Sequence, residues 1–515
     1  MAAPTYDYVV VGAGSAGCVL ANRLTADGDR DVLLLEAGDP DEDESIHVPA
    51  RSPFLLKSDA DWDFSTTPQP ELDGRELYWP RGKTLGGSSS INAMIWIRGH
   101  PRDFDGWAAA GNEGWGYDDL RPYFRRAERF DPGDGSAVDP ADVPGDYGSD
   151  GPQRVRANPS PHPVSERLVE AATEVGLPRR ETFTGGLEGA GHFETTVGDG
   201  QRQSTAVGYL HPALDRGNLR AETGARVTRV TVDGDRATGV EYVQDGRKRR
   251  VAADEVVLSA GAVQTPQLLM LSGIGPADHL DEHGIDVRVD LPGVGRNLQD
   301  HLLVAATWEC AEAVDLPADS NLVESGAFAR TDPDLPAPDV EFHLVPLFFM
   351  GHGFDNPEGS GFSAAVTQLR PESRGQITLA SDDPLDDPVI DPRYLSEEPD
   401  LDVLVDGLEL AREIGRGDAL DPVRGDEVWP GADVTDRAGL ERHVREHAQT
   451  VYHPVGTCRM GDDDLAVVDD DLRVHGVEGL RVVDASVMPQ ITRGNTNAPT
   501  IAVAERAADL LRGSE

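Results

Sequence analysis

The chain of 515 residues is long enough for at least two domains, and it has 92 Asp and Glu residues against 46 Lys and Arg, a formal net charge of -46. Such an acidic surface repels nucleic acid and anionic membranes, which excludes both as partners, and it predicts a salt-adapted organism, because screening at high salt removes the self-repulsion. The three cysteines lack paired spacing and predict neither a disulfide framework nor a metal site. The sequence has no apolar run of membrane-spanning length and no secretion signal, which predicts a cytoplasmic protein without a membrane span.

The segment "YDYVVVGAGSAGCVLANRLTADGDRDVLLLEAG" has the pattern of a dinucleotide-binding unit. It predicts a strand over 8–11, a glycine turn, an amphipathic helix and a second strand over 32–35. Gly12, Gly14 and Gly17 have the GxGxxG spacing. The first glycine permits the tight turn, the second lets the backbone approach a pyrophosphate, and the third lets helix and strand pack closely.

Glu36 ends the second predicted strand, at the position where a carboxylate can hold the ribose hydroxyls of a dinucleotide. Its charge would repel a 2′-phosphate, so a phosphorylated cofactor is disfavoured. The motif serves both nicotinamide and flavin adenine dinucleotides, and later segments have to decide between them.

The segment "PRGKTLGGSSSINAMIWIRG" combines a polar turn with a buried stretch. Gly86 and Gly87, followed by Ser88 and two more serines, offer backbone N–H and hydroxyl donors to the oxygens of a phosphate or a polar ring. The turn leads directly into the apolar "INAMIWI". We therefore predict that its donors meet a ligand inside the protein rather than solvent.

Two further strands are followed by turns of small or polar residues. In "DEVVLSAGAVQTPQLLMLSGIG" a strand over 256–259 leads through a small turn into a helix that is predicted to begin near Thr265. In "GLRVVDASVMPQITRGNTNAPTIAVAERAADLL" a strand over 480–483 ends at Asp484, and the turn at Asn495 leads into the last helix. Both patterns predict that backbone or a helix N-terminus approaches a ligand.

The segment "TVYHPVGTCRMG" contains the candidate catalytic base. Pro454 disfavours a helical conformation at His453, so the imidazole is predicted to lie in a loop or at a strand end, where a side chain is easily aimed at a ligand. Judged by this segment alone, a packed structural histidine is the more frequent case, and the other motifs have to decide.

Taken together, these segments resemble the glucose–methanol–choline (GMC) oxidoreductase family of FAD-dependent alcohol oxidases and dehydrogenases. The resemblance lies in "GKTLGGSSSINAMIWIRG" at 82–99, "GAVQTPQLLMLSGIG" at 261–275, and in "GVGRNLQDHL", "DPRYL", "YHPVGTCRMG" and "NTNAPT". It extends over 6–511 and is nearest to the choline dehydrogenase-like group. It implies an α/β fold, α+β overall, with a Rossmann-like FAD-binding domain and a substrate domain whose antiparallel sheet is flanked by helices.

This organisation implies a discontinuous FAD-binding domain over 1–130, 220–300 and 450–515. Residues 131–219 are predicted to form connecting and cap segments, and residues 301–449 the substrate-binding domain. The oligomeric state is left open.

The resemblance implies oxidation of an alcohol, choline-like or another primary alcohol, to an aldehyde, with hydride transfer to flavin N5. His453 would be the base, because imidazole titrates near neutrality, and Asn495 would donate a hydrogen bond to the developing alkoxide. A dehydrogenase is favoured over an oxidase, with oxygen, a quinone or another carrier as the electron acceptor. Two alternatives stay open: a lyase of the same fold that keeps FAD without redox turnover, and a flavin-binding module without turnover.

FAD is expected to bind without a covalent link, because the position that forms the link in some relatives is Ile91 here. Val227 would contact the adenine through its backbone. The full set of FAD-binding residues implied by the resemblance is Gly12, Ala13, Gly14, Ser15, Ala16, Gly17, Glu36, Ala37, Gly38, Arg81, Gly86, Gly87, Ser88, Asn92, Ala93, Met94, Ile95, Val227, Ala260, Gly261, Asp484, Ala485, Asn495 and Thr496.

Glu324 and His343 match positions that line the substrate pocket in choline-oxidising relatives, and Tyr452 and His453 complete the predicted pocket. A buried carboxylate facing a trimethylammonium group would explain choline binding. The same pattern occurs in members that do not oxidise choline, so the choice among alcohols stays open. His301 is predicted to be structural and to support the flavin domain.

Overall fold

The computed structural model describes residues 5–132, 146–158 and 161–513. Of the proline- and acid-rich connection predicted over 131–165, residues 133–145 and 159–160 lie outside the described residues. Within the described residues, the larger strands form two sheets. The first is a mixed sheet whose central strands are parallel, and the second is antiparallel.

The first sheet is built around apolar runs that are buried on both faces, as is typical of parallel strands. Thr5–Val11 pairs in parallel with Val32–Leu35 on one side and with Arg247–Leu258 on the other. In the described part of the chain, the order across this sheet is Leu219–Glu222, Val32–Leu35, Thr5–Val11, Arg247–Leu258, Arg236–Gln244 and Arg226–Asp233, with Leu480–Val482 paired to Arg247–Leu258. Parallel strands from distant parts of the sequence thus have their carboxyl ends at the same edge of the sheet.

Some of the helices pack against this sheet and others pack against the antiparallel sheet. Ser15–Leu24 follows the first strand and packs against the last helix, Asn497–Arg512. Arg23 and the fully buried Glu505 join the two helices through an ion pair of 2.6 Å. The other α-helices of the described residues are Glu44–His47, Pro101–Ala109, Tyr117–Ala127, Pro163–Glu174, Gly261–Leu271, Ala277–Glu282, Glu398–Gly415 and Arg437–His447.

The second sheet is antiparallel and has one face on a helix. Its order, among the described residues, is Arg424–Trp429, Leu302–Cys310, Gly361–Gln368, Val340–Val345, Ser325–Ala329 and Gly189–His192, with Gln449–Thr450 paired to Leu302–Cys310. Glu398–Gly415 packs against this sheet, and Gly407 permits the close approach, because a Cβ there would lie 2.5 Å from Val366 Cγ2. Phe342 belongs to this helix-facing core, whereas the next residue, His343, projects from the opposite face.

Short pairings complete the described fold. They comprise Phe64–Ser65 with Tyr78–Trp79, Glu128–Asp131 with Gln153–Arg156, Val197–Gly198 with Gln201–Arg202, Ile274–Gly275 with Val289–Asp290, and Gly375–Thr378 with Arg296–Leu298 and Val389–Asp391. No helix among the described residues is long and apolar enough to cross a membrane. The cytoplasmic location stays a prediction.

The helix predicted to begin near Thr265 begins at Gly261. Pro266 therefore lies inside the helix, where it lacks the N–H that would donate to the carbonyl of Ala262. That carbonyl instead accepts a hydrogen bond of 2.7 Å from Thr457 Oγ1. A contact from a distant segment makes the proline tolerable, and the local sequence pattern does not reveal it.

Gly189–His192 lies within the predicted connecting and cap segments over 131–219 and forms the edge strand of the second sheet. It pairs with Ser325–Ala329, and Gly326 in that strand leaves room for the ring of Phe193. A Cβ at Gly326 would lie 2.0 Å from Phe193 Cζ. The edge strand is short and rich in glycine, which explains why its sequence lacks the alternation of a strand.

Candidate active site

A cavity of about 810 Å³ begins at the carboxyl ends of the parallel strands and extends to the second sheet. Val11 and Leu35 lie at one end of its lining, and His343 and Val345 at the other. This volume is near the top of the roughly 300–1,000 Å³ range of small-molecule and cofactor sites. The cavity is therefore large enough for an extended cofactor together with a substrate.

The glycine turn forms the first wall of the cavity. Gly12 has a φ of +97°, and a Cβ there would lie 2.5 Å from Ser259 O. A Cβ on Gly17 would lie 1.9 Å from Gly12 O, so helix and strand touch at this point. A Cβ on Gly14 would have only Gly87 Cα within reach, at 3.9 Å. Gly14 thus leaves open space on the cavity side, as the approach of a pyrophosphate requires.

Glu36 lies at the end of the second strand and lines the cavity. Its carboxylate oxygens accept hydrogen bonds from Ala13 N at 2.8 Å and from Gly38 N at 2.9 Å. Burial raises the pKa of Glu36, and these backbone donors oppose the shift. Gly86 N donates to Ala13 O at 2.7 Å. Ala13, Gly17, Gly38 and Gly86 therefore build the turn behind the cavity wall rather than lining the cavity.

The serine-rich turn divides its side chains between ligand space and backbone. Ser88 lines the cavity. Ser89 Oγ donates to Gly86 O, and Ser90 Oγ donates to Leu85 O, each at 2.6 Å. The prediction that these donors meet a ligand thus fits the position of Ser88, while the other two hydroxyls stabilise the turn.

Asp484 ties the third and fourth segments together beside the cavity. Its Oδ2 accepts from Gly261 N at 2.9 Å and from Thr265 Oγ1 at 2.6 Å, and its Oδ1 accepts from Ser486 N at 2.8 Å. The carboxylate thereby satisfies backbone donors at the start of two helical turns.

The predicted catalytic pair meets at the cavity wall. Asn495 Nδ2 lies 3.2 Å from His453 Nε2. On the other edge of the ring, His453 Nδ1 lies 3.0 Å from His301 Nδ1, and His301 Nε2 lies 3.2 Å from the carbonyl oxygen of Leu369. Four groups from separate parts of the chain thus form one line of hydrogen bonds.

The direction of this line follows from its carbonyl end. A carbonyl oxygen only accepts, so His301 Nε2 has the hydrogen and His301 Nδ1 is an acceptor. His453 Nδ1–H donates to it, which leaves the lone pair on His453 Nε2. That nitrogen accepts from the Asn495 amide and is the basic atom of the pair.

Burial keeps both imidazoles neutral. It lowers the pKa of His453 well below its ordinary value, and the neighbouring His301 and His343 lower it further. Burial likewise lowers the pKa of His301 to about 3. Asp300 Oδ1 accepts from His453 N at 2.7 Å, and the preceding Tyr452 has a φ of 73°, an uncommon left-handed conformation for an aromatic residue. The backbone at His453 is therefore held in place by contacts around it.

His301 has a closer connection to the site than the sequence predicted. It was expected to support the flavin domain, but it is fully buried in direct contact with the candidate base. Its sequence signal is the motif "NLQDHL", whose spacing from "YHPVGT" gives no hint of contact. The pairing arises because the strand Leu302–Cys310 and the short strand Gln449–Thr450 are neighbours.

The structure does not bring Glu324 to the cavity. Its Oε2 accepts from His162 N at 2.8 Å and from Ser165 Oγ at 2.7 Å, and its Oε1 accepts from Ser320 Oγ at 3.0 Å. The carboxylate is thus bound at the N-terminus of the helix Pro163–Glu174, where negative charge is favourable. A choline-binding role for Glu324 is not compatible with this position.

Other cavity residues were not predicted. Leu303, Phe349 and His352 line the cavity, and His352 Nδ1 lies 2.6 Å from the hydroxyl of Tyr452. Leu303 lies in a strand whose residues are nearly all buried, so its sequence does not tell which face meets the cavity. No group of His, Cys, Asp or Glu residues suited to a metal ion occurs among the described residues.

Most of the predicted site residues do line the cavity. They are Gly12, Gly14, Ser15, Ala16, Glu36, Ala37, Arg81, Gly87, Ser88, Asn92, Ala93, Met94, Ile95, Val227, Ala260, Gly261, His343, Tyr452, His453, Asp484, Ala485, Asn495 and Thr496.

Comparison with known proteins identifies related chains and folds. Two sequence profiles described as GMC oxidoreductase match residues 6–303 and 371–504. The chain is 43% identical to the mitochondrial choline dehydrogenase of Mus musculus, over 99% of this chain and 89% of that protein. It is 42% identical to an alcohol dehydrogenase (acceptor) of Pseudomonas putida, over 98% of this chain and 95% of that protein.

Solved structures show the same architecture. The pyridoxine 4-oxidase of Mesorbium loti superposes with a TM-score of 0.91 at 36% identity, over 98% of both chains. The formate oxidase of Aspergillus oryzae superposes with a TM-score of 0.92 at 29% identity, over 100% of this chain and 99% of that chain.

The glycine turn gives a test of cofactor binding that separates it from folding. Gly14→Ala is expected to change the free energy of unfolding of the apoprotein by less than about 0.5 kcal/mol, because the residue has a φ of -78° and free space, yet to abolish flavin binding. Gly17→Ala is expected to destabilise the apoprotein by roughly 1–3 kcal/mol or more through its clash with backbone. Denaturant unfolding and the flavin released on acid denaturation measure the two effects. A Gly14→Ala protein with normal flavin content would contradict the assignment.

Proposed function

The chain belongs to the GMC oxidoreductase family, and on that basis we propose that it oxidises a primary alcohol to an aldehyde with FAD as the bound cofactor. The observation that carries the proposal is the distance of 3.2 Å between His453 Nε2 and Asn495 Nδ2 at the wall of the cavity that also contains the glycine turn. His453 is the base and Asn495 its hydrogen-bond partner. This pair favours redox chemistry, and the experiments below distinguish it from the lyase and the flavin-binding module.

The residues around the cavity fit FAD. Gly14 leaves space for a pyrophosphate, and Glu36 presents a carboxylate at the end of the second strand. The parts of the cavity wall near Ser88, Asp484 and Thr496 provide hydroxyl, carboxylate and helix N-terminal groups for a polar chain and ring. When bound, FAD supplies the acceptor for two electrons from the alcohol carbon.

The protein's own part in the reaction is to take the hydroxyl proton. The lone pair of His453 Nε2 accepts from the Asn495 amide at the cavity wall and becomes the proton acceptor when an alcohol hydroxyl takes that donor's place, and a lowered pKa keeps the ring neutral. The Asn495 amide cannot titrate, so it remains a donor while negative charge develops on the alcohol oxygen. His301 Nδ1 accepts from His453 Nδ1–H throughout the reaction, which keeps the hydrogen of the neutral His453 ring on Nδ1.

A non-covalent cofactor is part of the proposal. The side chain of Ile91, which lines the cavity, is an alkyl group and offers no atom for a bond to the flavin. The flavin is therefore released when the protein is denatured by acid.

Removing the base is expected to abolish alcohol-dependent reduction. His453→Ala should lower the rate of flavin reduction roughly 10²–10⁴-fold, and Asn495→Ala roughly 10²–10³-fold, while both variants keep FAD. The rate is measured as loss of flavin absorbance after anaerobic mixing with alcohols in high salt. His283→Ala, which changes a histidine away from the cavity, is the control and should match the native protein.

The same experiment separates redox turnover from the alternatives. Product without loss of flavin absorbance would indicate a lyase, and no response to any alcohol would indicate a flavin-binding module. A His453→Ala protein with near-normal reduction would overturn the assignment of the base.

His301 is expected to act through His453 rather than on the substrate. His301→Leu removes the acceptor for His453 Nδ1–H and should lower kcat/KM at least about 10-fold, whereas His301→Gln, whose amide oxygen can accept, should keep more activity. In the native protein kcat/KM is expected to stay level as the pH falls through the ordinary histidine value, because the lowered pKa keeps His453 neutral. In His301→Leu the acidic limb should move to higher pH, because a group that lowers the pKa of His453 is gone.

The pH dependence of kcat/KM between about pH 5 and 8 therefore distinguishes this role from a purely structural one. A His301→Leu protein that loses activity without any shift of the acidic limb would show that His301 only supports packing.

We also propose that the reaction is that of a dehydrogenase. The support lies in the names of relatives, a choline dehydrogenase at 43% and an alcohol dehydrogenase (acceptor) at 42% identity, although one choline dehydrogenase at 44% identity is named as oxygen-dependent. Turnover is expected to be faster with an artificial dye or a quinone than with oxygen. Hydrogen peroxide formed at the rate of aldehyde formation, with no gain from the dye, would show an oxidase instead.

A further inference from the structure

We infer that the substrate is an uncharged alcohol with an apolar chain, and that a quaternary ammonium alcohol such as choline is a poor substrate. The inference rests on the proposed function and names the substrate class of the same site. It comes from the side chains that surround His453 and from the places where the charged residues lie.

Apolar side chains from two clusters lie in the cavity wall around His453. Leu303 and Val451 pack in one cluster with Phe349. Ile95 and Val323 belong to the other cluster, around Phe193 and Phe328. Leu303, Val451, Phe349, Ile95 and Val323 all line the cavity. A substrate chain that leaves the His453–Asn495 pair therefore meets hydrocarbon, which favours apolar groups by about 25 cal/mol per Å² of buried surface.

No free carboxylate faces this apolar part. Among the described residues that line the cavity, the acidic ones are Glu36 and Asp484. Glu36 lies beside the glycine turn, and each of its oxygens accepts a backbone N–H. Asp484 accepts from donors at the start of the helix Gly261–Leu271 and from Ser486 N, and in the proposed function it lies in the part of the wall that holds the cofactor. In the proposed function both carboxylates belong to the cofactor's part of the cavity, which leaves neither to pair with a cationic substrate at the His453 end.

The nearest buried acids do not supply the missing charge. Glu324 is bound by donors outside the cavity. Glu341 lies behind the cavity-lining His343, with 3.6 Å between Glu341 Oε1 and His343 Nε2, and it does not line the cavity. Burial raises the pKa of Glu341 to about 8, which favours its neutral form at neutral pH. Burial also lowers the pKa of His343 to about 4, and the wall is neutral here.

Two aromatic rings at the cavity mouth, those of Tyr78 and Phe354, already hold a cation. The ammonium group of Lys57 lies 4.8 Å from the ring centroid of Tyr78 and 5.8 Å from that of Phe354. Phe354 lines the cavity and has 54% of its surface exposed, so this cluster lies at the entrance. A trimethylammonium group would compete with Lys57 for these faces and would be repelled by its charge. A neutral alcohol meets no such barrier.

The decisive comparison uses two alcohols of the same shape. Choline and its carbon isostere, in which a tert-butyl group replaces the trimethylammonium group, differ only in charge. The isostere is expected to show a kcat/KM at least about 100-fold higher, because a desolvated cation without a counter-ion is costly to bury. Flavin reduction is followed anaerobically in the native holoenzyme, with benzyl alcohol as a reference for the proposed function.

Binding is measured independently of turnover with two compounds that cannot be oxidised at a carbinol carbon. tert-Butanol is expected to perturb the flavin absorption spectrum, and tetramethylammonium is expected to leave it unchanged at equal concentration. Equal perturbation by both would contradict the inference.

Leu303→Glu tests the cause by adding the absent carboxylate to the apolar wall. At about pH 9, where a buried carboxyl group such as that of Glu341, with a pKa of about 8, is ionised, the variant should shift the ratio of kcat/KM for choline to that for the isostere at least about 10-fold towards choline. Leu303→Gln introduces a side chain with the shape of glutamate but no charge. It is the matched control and should leave the ratio nearly unchanged. Flavin content shows whether each variant has folded.

The outcomes separate this inference from the proposed function. Reduction by benzyl alcohol together with equal or better use of choline would overturn the substrate class and leave alcohol oxidation standing. No reduction by any of the three alcohols would overturn the proposed function and the inference with it. If the variants at position 303 fail to bind flavin, the comparison of the two alcohols in the native protein still decides.

Discussion

The site depends on a line of hydrogen bonds that can run in only one direction. The carbonyl of Leu369 accepts from His301, His301 accepts from His453, and His453 accepts from Asn495. Both imidazoles are buried, so a charged form of either is disfavoured and the neutral tautomers are fixed. The useful lone pair on His453 Nε2 is thus a property of the assembled fold. No single residue of this line determines the tautomer of His453 by itself.

Buried acids hold the segments that form this line, and they do so as acceptors. Asp300 binds the backbone of His453 and the hydroxyl of Thr450. Asp103 accepts from Arg493 N at 2.8 Å and also pairs with the Arg493 side chain, two residues before Asn495. Because a buried carboxylate is stable only when its oxygens are bound, each of these acids fixes a loop and leaves the proton chemistry to the neutral histidine.

The parts of the protein that sequence predicted best are those in which one short segment determines the geometry. The turn from Gly12 to Gly17, the strand Val32–Leu35 and the carboxylate of Glu36 follow from local pattern, because glycine conformation and strand burial are local properties. The contact of His301 with His453 needed two strands to pair, and no spacing encodes it. The sequence wrongly predicted Glu324 to lie at the substrate pocket. Its motif indicates a strand but does not indicate what the carboxylate binds, which is the N-terminus of the helix Pro163–Glu174.

The acidic composition and the neutral site are compatible because burial separates them. The excess of 92 acids over 46 basic residues is carried largely at the surface, where ion pairs such as those of Arg437 with Asp402 and Asp406 are partly exposed. Surface charges are screened within about 10 Å at moderate salt and about 3 Å at 1 M, whereas buried pairs are screened much less. Salt therefore acts on the self-repulsion of the surface and on encounters with charged molecules. The hydrogen bonds of His453 are buried, so salt does not change which nitrogen has the hydrogen. A surface that we propose is adapted to high salt can therefore enclose a site whose chemistry does not depend on salt.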